Sequence, residues 1–198
     1  MKLIAIIPAR TDSKRLPNKN FKKFFGEPII EWVLEEIVKS ELFDTIVVSL
    51  NNEDKKENYN DIWYQKRNII PHIRGNPVYE QTLDEVCLDV IERYPRYDYV
   101  CVVYPTAYAV TWQSLCRSFS SMIKQGSDAS CSFGMLNGSD YNLDNGGFYW
   151  IKVDRFLECK TLMPIYLGYE LPMVDINTIE DFANAKLHAL TLEGERFK

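Results

Sequence analysis

Hydrophobic positions fall into two alternating patterns along the chain: short continuous runs, and stripes of helical period. Leu3–Pro8 is a continuous Ile-rich run, the signature of a strand buried on both faces. Ile30, Val33, Leu34, Ile37 and Val38 recur at i, i+3, i+4, i+7 and i+8 and predict a helix with one apolar face; Pro28 suits its first turn. Thr45–Leu50 predicts a second strand. Ile69–Ile73 predicts a third, confined to a sheet edge by Pro71. Between them, Asn52–Arg67 is polar with scattered aromatics and reads as helical. Leu83, Val86, Cys87, Val90 and Ile91 repeat the helical stripe, and Thr82 with Glu85 has capping-box spacing. Tyr99–Val103 is an apolar strand. Thr111–Lys124 follows as a helix with Leu115, Phe119, Met122 and Ile123 inward. Ala129–Phe133 and Phe148–Val153 read as strands around a Gly/Asn/Asp/Ser-rich loop, Leu136–Asn145. A last helix starts at Asn177 or Thr178, with Ile179, Phe182, Ala183, Leu187 and Leu190 facing the core.

Strands alternating with helices predict an α/β fold: a single doubly wound, mostly parallel sheet with helices on both faces. No repeat or linker interrupts it, so residues 1–198 read as a single domain. Ligands of such sheets bind beyond the carboxyl ends of the strands, which directs attention to the residues just after each strand.

Composition narrows the function classes. A formal charge of −5 argues against a general binder of nucleic acid or of an anionic membrane. No apolar run is long enough to span a bilayer, and Leu3–Ile7 lacks the cleavage site of a signal peptide; a cytoplasmic protein is expected. Five widely spaced cysteines, none in a C-x-x-C pair, predict buried thiols rather than disulfides or zinc. His72 and His188 stand apart from any partner at metal-ligand spacing.

The candidate chemistry lies directly after the first strand. From Arg10 to Lys23 there are six basic residues and one acid, inside an acidic protein. Ser13, Asn18 and Asn20 supply donors between the cations, and Pro17 fixes local backbone shape. Point charges, a guanidinium and hydroxyl donors at a strand's carboxyl end are what a polyphosphate needs. Neither G-x-x-x-x-G-K-[ST] nor G-x-G-x-x-G is present.

The run Ile4-Ala-Ile-Ile-Pro-Ala-Arg-x-x-Ser-Lys-Arg-Leu-Pro-x-Lys-Asn20 resembles the opening of the acylneuraminate cytidylyltransferases, the CMP-sialic acid synthetase family. Tyr104-Pro105-Thr106-Ala107, Asp144-Asn145-Gly146-Gly147-Phe148-Tyr149-Trp150 and Val174-Asp175-Ile176-Asn177-Thr178-Ile179-Glu180-Asp181 resemble, in order, later motifs of its pseudaminic acid branch. The resemblance implies a nucleotide-diphospho-sugar transferase-like, Rossmann-like fold. It also implies transfer of CMP from CTP to a nonulosonic, keto-sugar acid, with Mg²⁺ as cofactor. By match to the motif, Arg10 and Lys14 would hold the outer phosphates and Lys19 would stabilise the α-phosphate as pyrophosphate departs. Ser13 would donate to phosphate, Asn20 would contact the nucleotide, and Arg74 would lie near the base. Thr82 matches a base-contacting hydroxyl of the family but equally reads as a helix N-cap. Asp175, at the end of a strand, and Asn177 match the family's metal-binding aspartates; Asn177 equally reads as the N-cap of the last helix, with Glu180 in the box.

Four departures from the family pattern stand out. Thr11-Asp12 replaces Gly-Gly, and Asp12 puts a negative charge by the triphosphate or offers a ligand to Mg²⁺. Asn177 replaces an aspartate. The segment between Phe133 and Asp144 is short and lacks Lys and Arg between Gly134 and Leu143, which removes a family dimer contact and predicts a monomer or a dimer through another surface. Tyr108 stands where a proline is usual. Two alternatives therefore stay open: a non-catalytic member that binds nucleotide or a protein partner, and a nucleotidyltransferase acting on a different sugar.

Overall fold

The computed structural model describes residues 1–51, 69–74, 81–136, 139–142, 145–162, 167–192 and 197; the helix expected over Asn52–Arg67 lies outside them. In chain order the elements are β1 (Leu3–Ala9), a 3-10 turn (Lys19–Phe21), β2 (Lys23–Phe24), β3 (Glu27–Pro28), α1 (Ile29–Lys39), β4 (Thr45–Leu50), β5 (Ile69–Ile73), α2 (Leu83–Arg93), β6 (Tyr99–Val103), α3 (Trp112–Lys124), β7 (Ala129–Leu136), β8 (Ser139–Asn142), β9 (Phe148–Lys152), α4 (Val153–Cys159), β10 (Leu167–Glu170) and α5 (Ile179–Ala189). No described helix is long and apolar enough to cross a membrane.

The main sheet runs β10-β7-β9-β6-β1-β4-β5, with β8 on β7. Its β6, β1, β4 and β5 are parallel neighbours, while β9 is antiparallel to both β6 and β7. Period-two alternation in β1 divides the core: Ala5 and Ile7 face one layer, with α1 and α3, and Ile4 and Ile6 face the other, with α2 and α4. Pro71 is accommodated because β5 is the edge strand, as its sequence predicts.

Several expectations are corrected. Pro28 is the N-cap of α1, not part of its first turn; it closes a small hairpin whose turn residues Phe25 and Gly26 both have positive φ, of 48° and 93°. Leu136–Asn145 is not all loop: β8 folds back on β7, and the sequence signal for it is the dipeptide Asn137-Gly138. Asp175 follows β10 in a segment without regular secondary structure rather than ending a strand. In α5 the buried face is Phe182, Ala185 and Ala189, while Ile179, Leu187 and Leu190 are 62%, 66% and 53% exposed. Ala183 is exposed too. Two apolar stripes adjoin on this helix. The sheet side selects the one with small residues, which lets α5 approach until Phe182 meets Phe24 edge-on at 5.6 Å. Ile123 is likewise 40% exposed at the end of α3, where Ser118 takes an inward place and accepts from the Trp150 indole N–H at 3.0 Å. All five cysteines are free thiols; Cys116 and Cys159 are only half-buried.

Candidate functional site

The parallel strands β1, β4, β5 and β6 end on one edge, so the residues that follow them, Arg10, Asn51, Arg74 and Tyr104, converge. Because β9 runs the opposite way, its amino end arrives at the same edge, and the Tyr104 N–H donates to the Gly147 carbonyl at 3.0 Å. A hollow of about 210 Å³ opens there, lined by Arg10, Lys19, Asn20, Arg74, Gln81 and Tyr104 among others. A larger hollow, of about 530 Å³, lies at the amino ends of the strands between Lys2, Asp44, Arg93 and Tyr97 and contains none of the sequence-predicted residues.

The basic loop is held by its own backbone and a few buried anchors. Leu16 is buried, Asn18 takes a left-handed φ of 54°, and the 3-10 turn follows. The Asn20 side-chain N–H donates to the Arg10 carbonyl at 2.8 Å, so its amide nitrogen closes the loop on itself. Thr11 in place of a glycine has a physical account. Neither Thr11 nor Asp12 has positive φ, and Thr11 donates to Asn51 Oδ1 through both its N–H (3.0 Å) and its hydroxyl (3.3 Å). Asn51 was not singled out from the sequence; its only signal is its place just after β4. Ser13 is buried within the loop, while Lys14 is exposed.

The fold brings the loop against the segment that follows β10. Lys19 Nζ donates to the Ile176 carbonyl at 2.7 Å, and the Arg15 guanidinium donates to Asn177 Oδ1 at 2.9 Å. Burial lowers the pKa of Lys19; Asp175 opposes this, and Arg15 and Arg10 push it further down. Asp175 and Asn177 do lie together, with Asn177 Nδ2 donating to Asp175 Oδ2 at 2.7 Å. The helix cap falls one residue later than expected: Thr178 accepts from the Asp181 N–H and Asp181 answers from the third position, while Asn177 contributes only its backbone N–H to Asp181. As placed, Asp175 and Asn177 do not fit a two-ligand site for a divalent cation. The amide is the donor of the carboxylate, its oxygen is engaged by Arg15, and Lys19 stands close by. No group of three or more His, Cys, Asp or Glu among the described residues is placed to hold a metal.

Two buried side chains fix this second segment. Asn145 accepts from Ser132 Oγ at 2.7 Å and from the Gly147 N–H at 3.2 Å, and donates to the Leu171 carbonyl at 2.5 Å. Gly146, with φ of 69°, lies against Asp175, where a Cβ would come within 3.1 Å of Oδ1. Tyr108, in the place of the usual proline, accepts from the Val174 N–H at 3.0 Å and meets His188 Nδ1 at 2.7 Å.

Arg74 enters the hollow from the end of β5. Its Nε donates to Ser49 Oγ at 3.1 Å and its terminal nitrogen to the Ser49 carbonyl at 3.0 Å. Burial lowers its pKa to about 10, Arg10 adds to the shift, and Asp12 and Asp89 oppose it, so it stays charged at neutral pH. Thr82 is not among the lining residues. Its hydroxyl accepts from the Glu85 N–H at 3.2 Å, and Glu85 completes the capping box, which is the cap reading of this residue. Gln81 beside it does line the hollow, and its buried Oε1 has no hydrogen-bond partner among the described residues. Sequence reasoning missed Gln81, which carries no pattern of its own.

A cluster of half-buried cations, Arg10, Lys19 and Arg74, gathers at the carboxyl edge of this doubly wound sheet, the edge at which α/β folds of this class present their sites. The sequence profile of the family described as "Cytidylyltransferase" matches residues 4–104, just over half of the chain, and the chain belongs to that family. It is 29% identical over 132 residues to the pseudaminic acid cytidylyltransferase of Campylobacter jejuni subsp. jejuni serotype O:2, covering 64% of this chain and 56% of that one. It is 28% identical over 113 residues to the CMP-N,N'-diacetyllegionaminic acid synthase of Legionella pneumophila, covering 54% and 47%. The matches thus span about half the length of these relatives. Among solved structures, a CMP:2-keto-3-deoxy-manno-octonic acid synthetase complexed with CTP superposes with a TM-score of 0.71 at 14% identity, over 97% of this chain and 100% of that one, which shows the shared fold.

Proposed function

We propose that the hollow binds CTP and that the chain transfers CMP to the anomeric hydroxyl of a nonulosonic acid of sialic or pseudaminic type, in the cytoplasm. The observation that carries this is the convergence of Arg10, Lys19 and Arg74 on one hollow at the strands' carboxyl edge. Free cysteines throughout fit a reducing compartment.

In this reading the sugar hydroxyl releases its proton to solvent as its oxygen forms a bond to the α-phosphorus, the bridge to the β-phosphate breaks, and the bridging electron pair leaves with pyrophosphate. The protein's part is positioning and charge stabilisation. Arg10 and Lys14 take the outer phosphates, Ser13 and the loop backbone donate to their oxygens, and Asn20 orders the loop while facing the nucleotide. Lys19, which donates to the Ile176 carbonyl, stabilises the charge that builds on the α-phosphate. Arg74 takes the base side. The Oε1 of Gln81, which has no hydrogen-bond partner among the described residues, complements the exocyclic amine of cytosine, a donor that uracil lacks. Asp175 already accepts from the Asn177 amide, so no step is assigned to a metal held by it.

Calorimetric titration of the four nucleoside triphosphates tests the binding half: CTP should bind most tightly. Pyrophosphate release with a panel of keto-sugar acids tests the transfer half. Lys19→Ala should lower kcat more than it weakens CTP binding, because the charge it meets develops in the transition state. Failure of the wild type to bind CTP at millimolar nucleotide refutes the proposal.

A further inference from the structure

Behind Arg74 lies a chain of buried polar groups whose donors and acceptors can be ordered from end to end. A guanidinium has no acceptor, so Ser49 Oγ must accept from Arg74 Nε. The order that completes the chain directs the serine proton to its other neighbour, His72 Nδ1, at 3.2 Å. That makes Nδ1 the acceptor and places the ring proton on Nε2. His72 Nε2 and Asp89 Oδ2 lie 3.4 Å apart, an ion-pair contact short of a hydrogen bond, and neither of these buried atoms has a hydrogen-bond partner among the described residues. Ser49 and His72 are 0% and 1% exposed and stand in register on the neighbouring strands β4 and β5; Asp89 comes from α2. Among the described residues, this chain is also faced by Arg93, 3.9 Å from the other Asp89 oxygen, and by the Tyr94 ring, edge-on to His72 at 6.4 Å, while Arg10 and Asp12 act on the Arg74 end.

Serine, histidine and aspartate in this order have the composition of a nucleophilic triad, but Ser49 Oγ is sealed beneath Arg74 and no substrate reaches it. The pathway leads outward instead, from Asp89 through two side chains that the transfer reaction does not use, to the one guanidinium that enters the hollow from β5. We propose that Ser49 and His72, backed by Asp89, are positioning residues that hold the Arg74 guanidinium in the orientation in which it meets the nucleotide. The inference rests on the nucleotide reading of the hollow for its functional consequence, though not for the order of the chain. Burial, reinforced by Arg93 and Arg74 and opposed by Asp89, keeps His72 less basic than an ordinary imidazole, as the relay requires. A charged ring would put a proton on Nδ1 and turn the Ser49 hydroxyl away.

Two measurements test it. In long-range ¹H–¹⁵N spectra at pH 7, with His188 assigned through a His188→Gln variant, His72 should be the neutral Nε2–H tautomer. The Arg74 Nε–H should exchange slowly in the wild type and faster in folded Ser49→Ala. A charged ring, an Nδ1–H tautomer, or unchanged exchange overturns the relay whether or not CTP binds. CTP titration then reads the functional consequence. Ser49→Ala and His72→Leu should each weaken CTP by about tenfold, the scale of one charge-assisted hydrogen bond. His72→Asn, whose amide oxygen can still accept from Ser49, should stay within about threefold of wild type. Equal affinities for folded His72→Leu, His72→Asn and wild type overturn the positioning role. A wild type that binds no CTP refutes the nucleotide reading instead, and the tautomer and exchange data still decide the relay.

Discussion

Replacing Tyr108 with phenylalanine removes one buried oxygen and strands two partners. The hydroxyl accepts from the Val174 N–H at 3.0 Å, so its own proton is directed to His188 Nδ1 at 2.7 Å. Phenylalanine keeps the ring and its contact with Phe24, whose centroid lies 5.3 Å away, so packing is largely preserved. Two hydrogen bonds at about 1 kcal/mol each give a loss of about 2 kcal/mol. For a chain of this length that lowers Tm by roughly 4–8 °C. The difference should depend on pH with a definite sign. Burial lowers the pKa of His188, so the unfolded chain takes up the proton more readily and the native state loses stability as pH falls below the ordinary imidazole value of about 6.5. Protonation at Nδ1 removes the acceptor of the Tyr108 proton and leaves at most a reversed bond to an oxygen that already accepts from Val174, so the gap between wild type and variant should narrow on acidification. Thermal melts of both proteins at pH 8 and pH 5.5 check this. A variant that melts within about 1 °C of wild type at pH 8, or a gap that widens on acidification, refutes the assignment of the two bonds.

Three further outcomes follow from the site. Asn145→Ala, which leaves the Leu171 carbonyl, Ser132 and the Gly147 N–H without their partner, should cost about 3 kcal/mol in denaturant unfolding; a loss under about 1 kcal/mol refutes its role as the anchor of this segment. Thr82→Ala should cost about 1 kcal/mol by loss of the α2 cap while CTP affinity, read calorimetrically, stays within about twofold; a tenfold loss of affinity returns Thr82 to the base site. Without nucleotide, Mn²⁺ binding followed by electron paramagnetic resonance should be weak in the wild type. It should strengthen in Asn177→Asp, where a second carboxylate replaces the amide donor of Asp175; equal binding by the two proteins refutes the reading of Asn177 as the residue that satisfies Asp175.

Much of the architecture is legible from local periodicity. The continuous Ile run of β1, the single apolar stripes of α1 and α2, and Pro71 at an edge each have one physical solution, because burial on both faces, a helical stripe and a missing N–H constrain the chain locally. The basic loop is legible for the same reason: its charges are contiguous in sequence and follow a strand. Where two local solutions compete, tertiary contact decides. On α5 the sequence offers two adjoining stripes, and the close approach to Phe24 selects Phe182, Ala185 and Ala189. The cap of that helix falls on Thr178 rather than Asn177 because Asn177 is already occupied between Arg15 and Asp175.

Groups that meet only through the fold leave no trace in the linear pattern. Lys19 reaches Ile176 across 157 positions, Arg15 reaches Asn177 across 162, and Tyr108 reaches Val174 across 66. Asn51, Gln81, Ser49 and His72 carry no motif, and their roles exist because parallel strands end together at one edge. What the sequence alone determined was the fold class, the strand edge on which the candidate residues gather, and the cationic loop, all products of short-range periodicity and composition. Which oxygen each cation meets, whether Asp175 has room for a metal, and what holds Arg74 in place are set by distances between strands. Hydrogen bonds require partners within about 3 Å, and only the folded sheet creates that proximity.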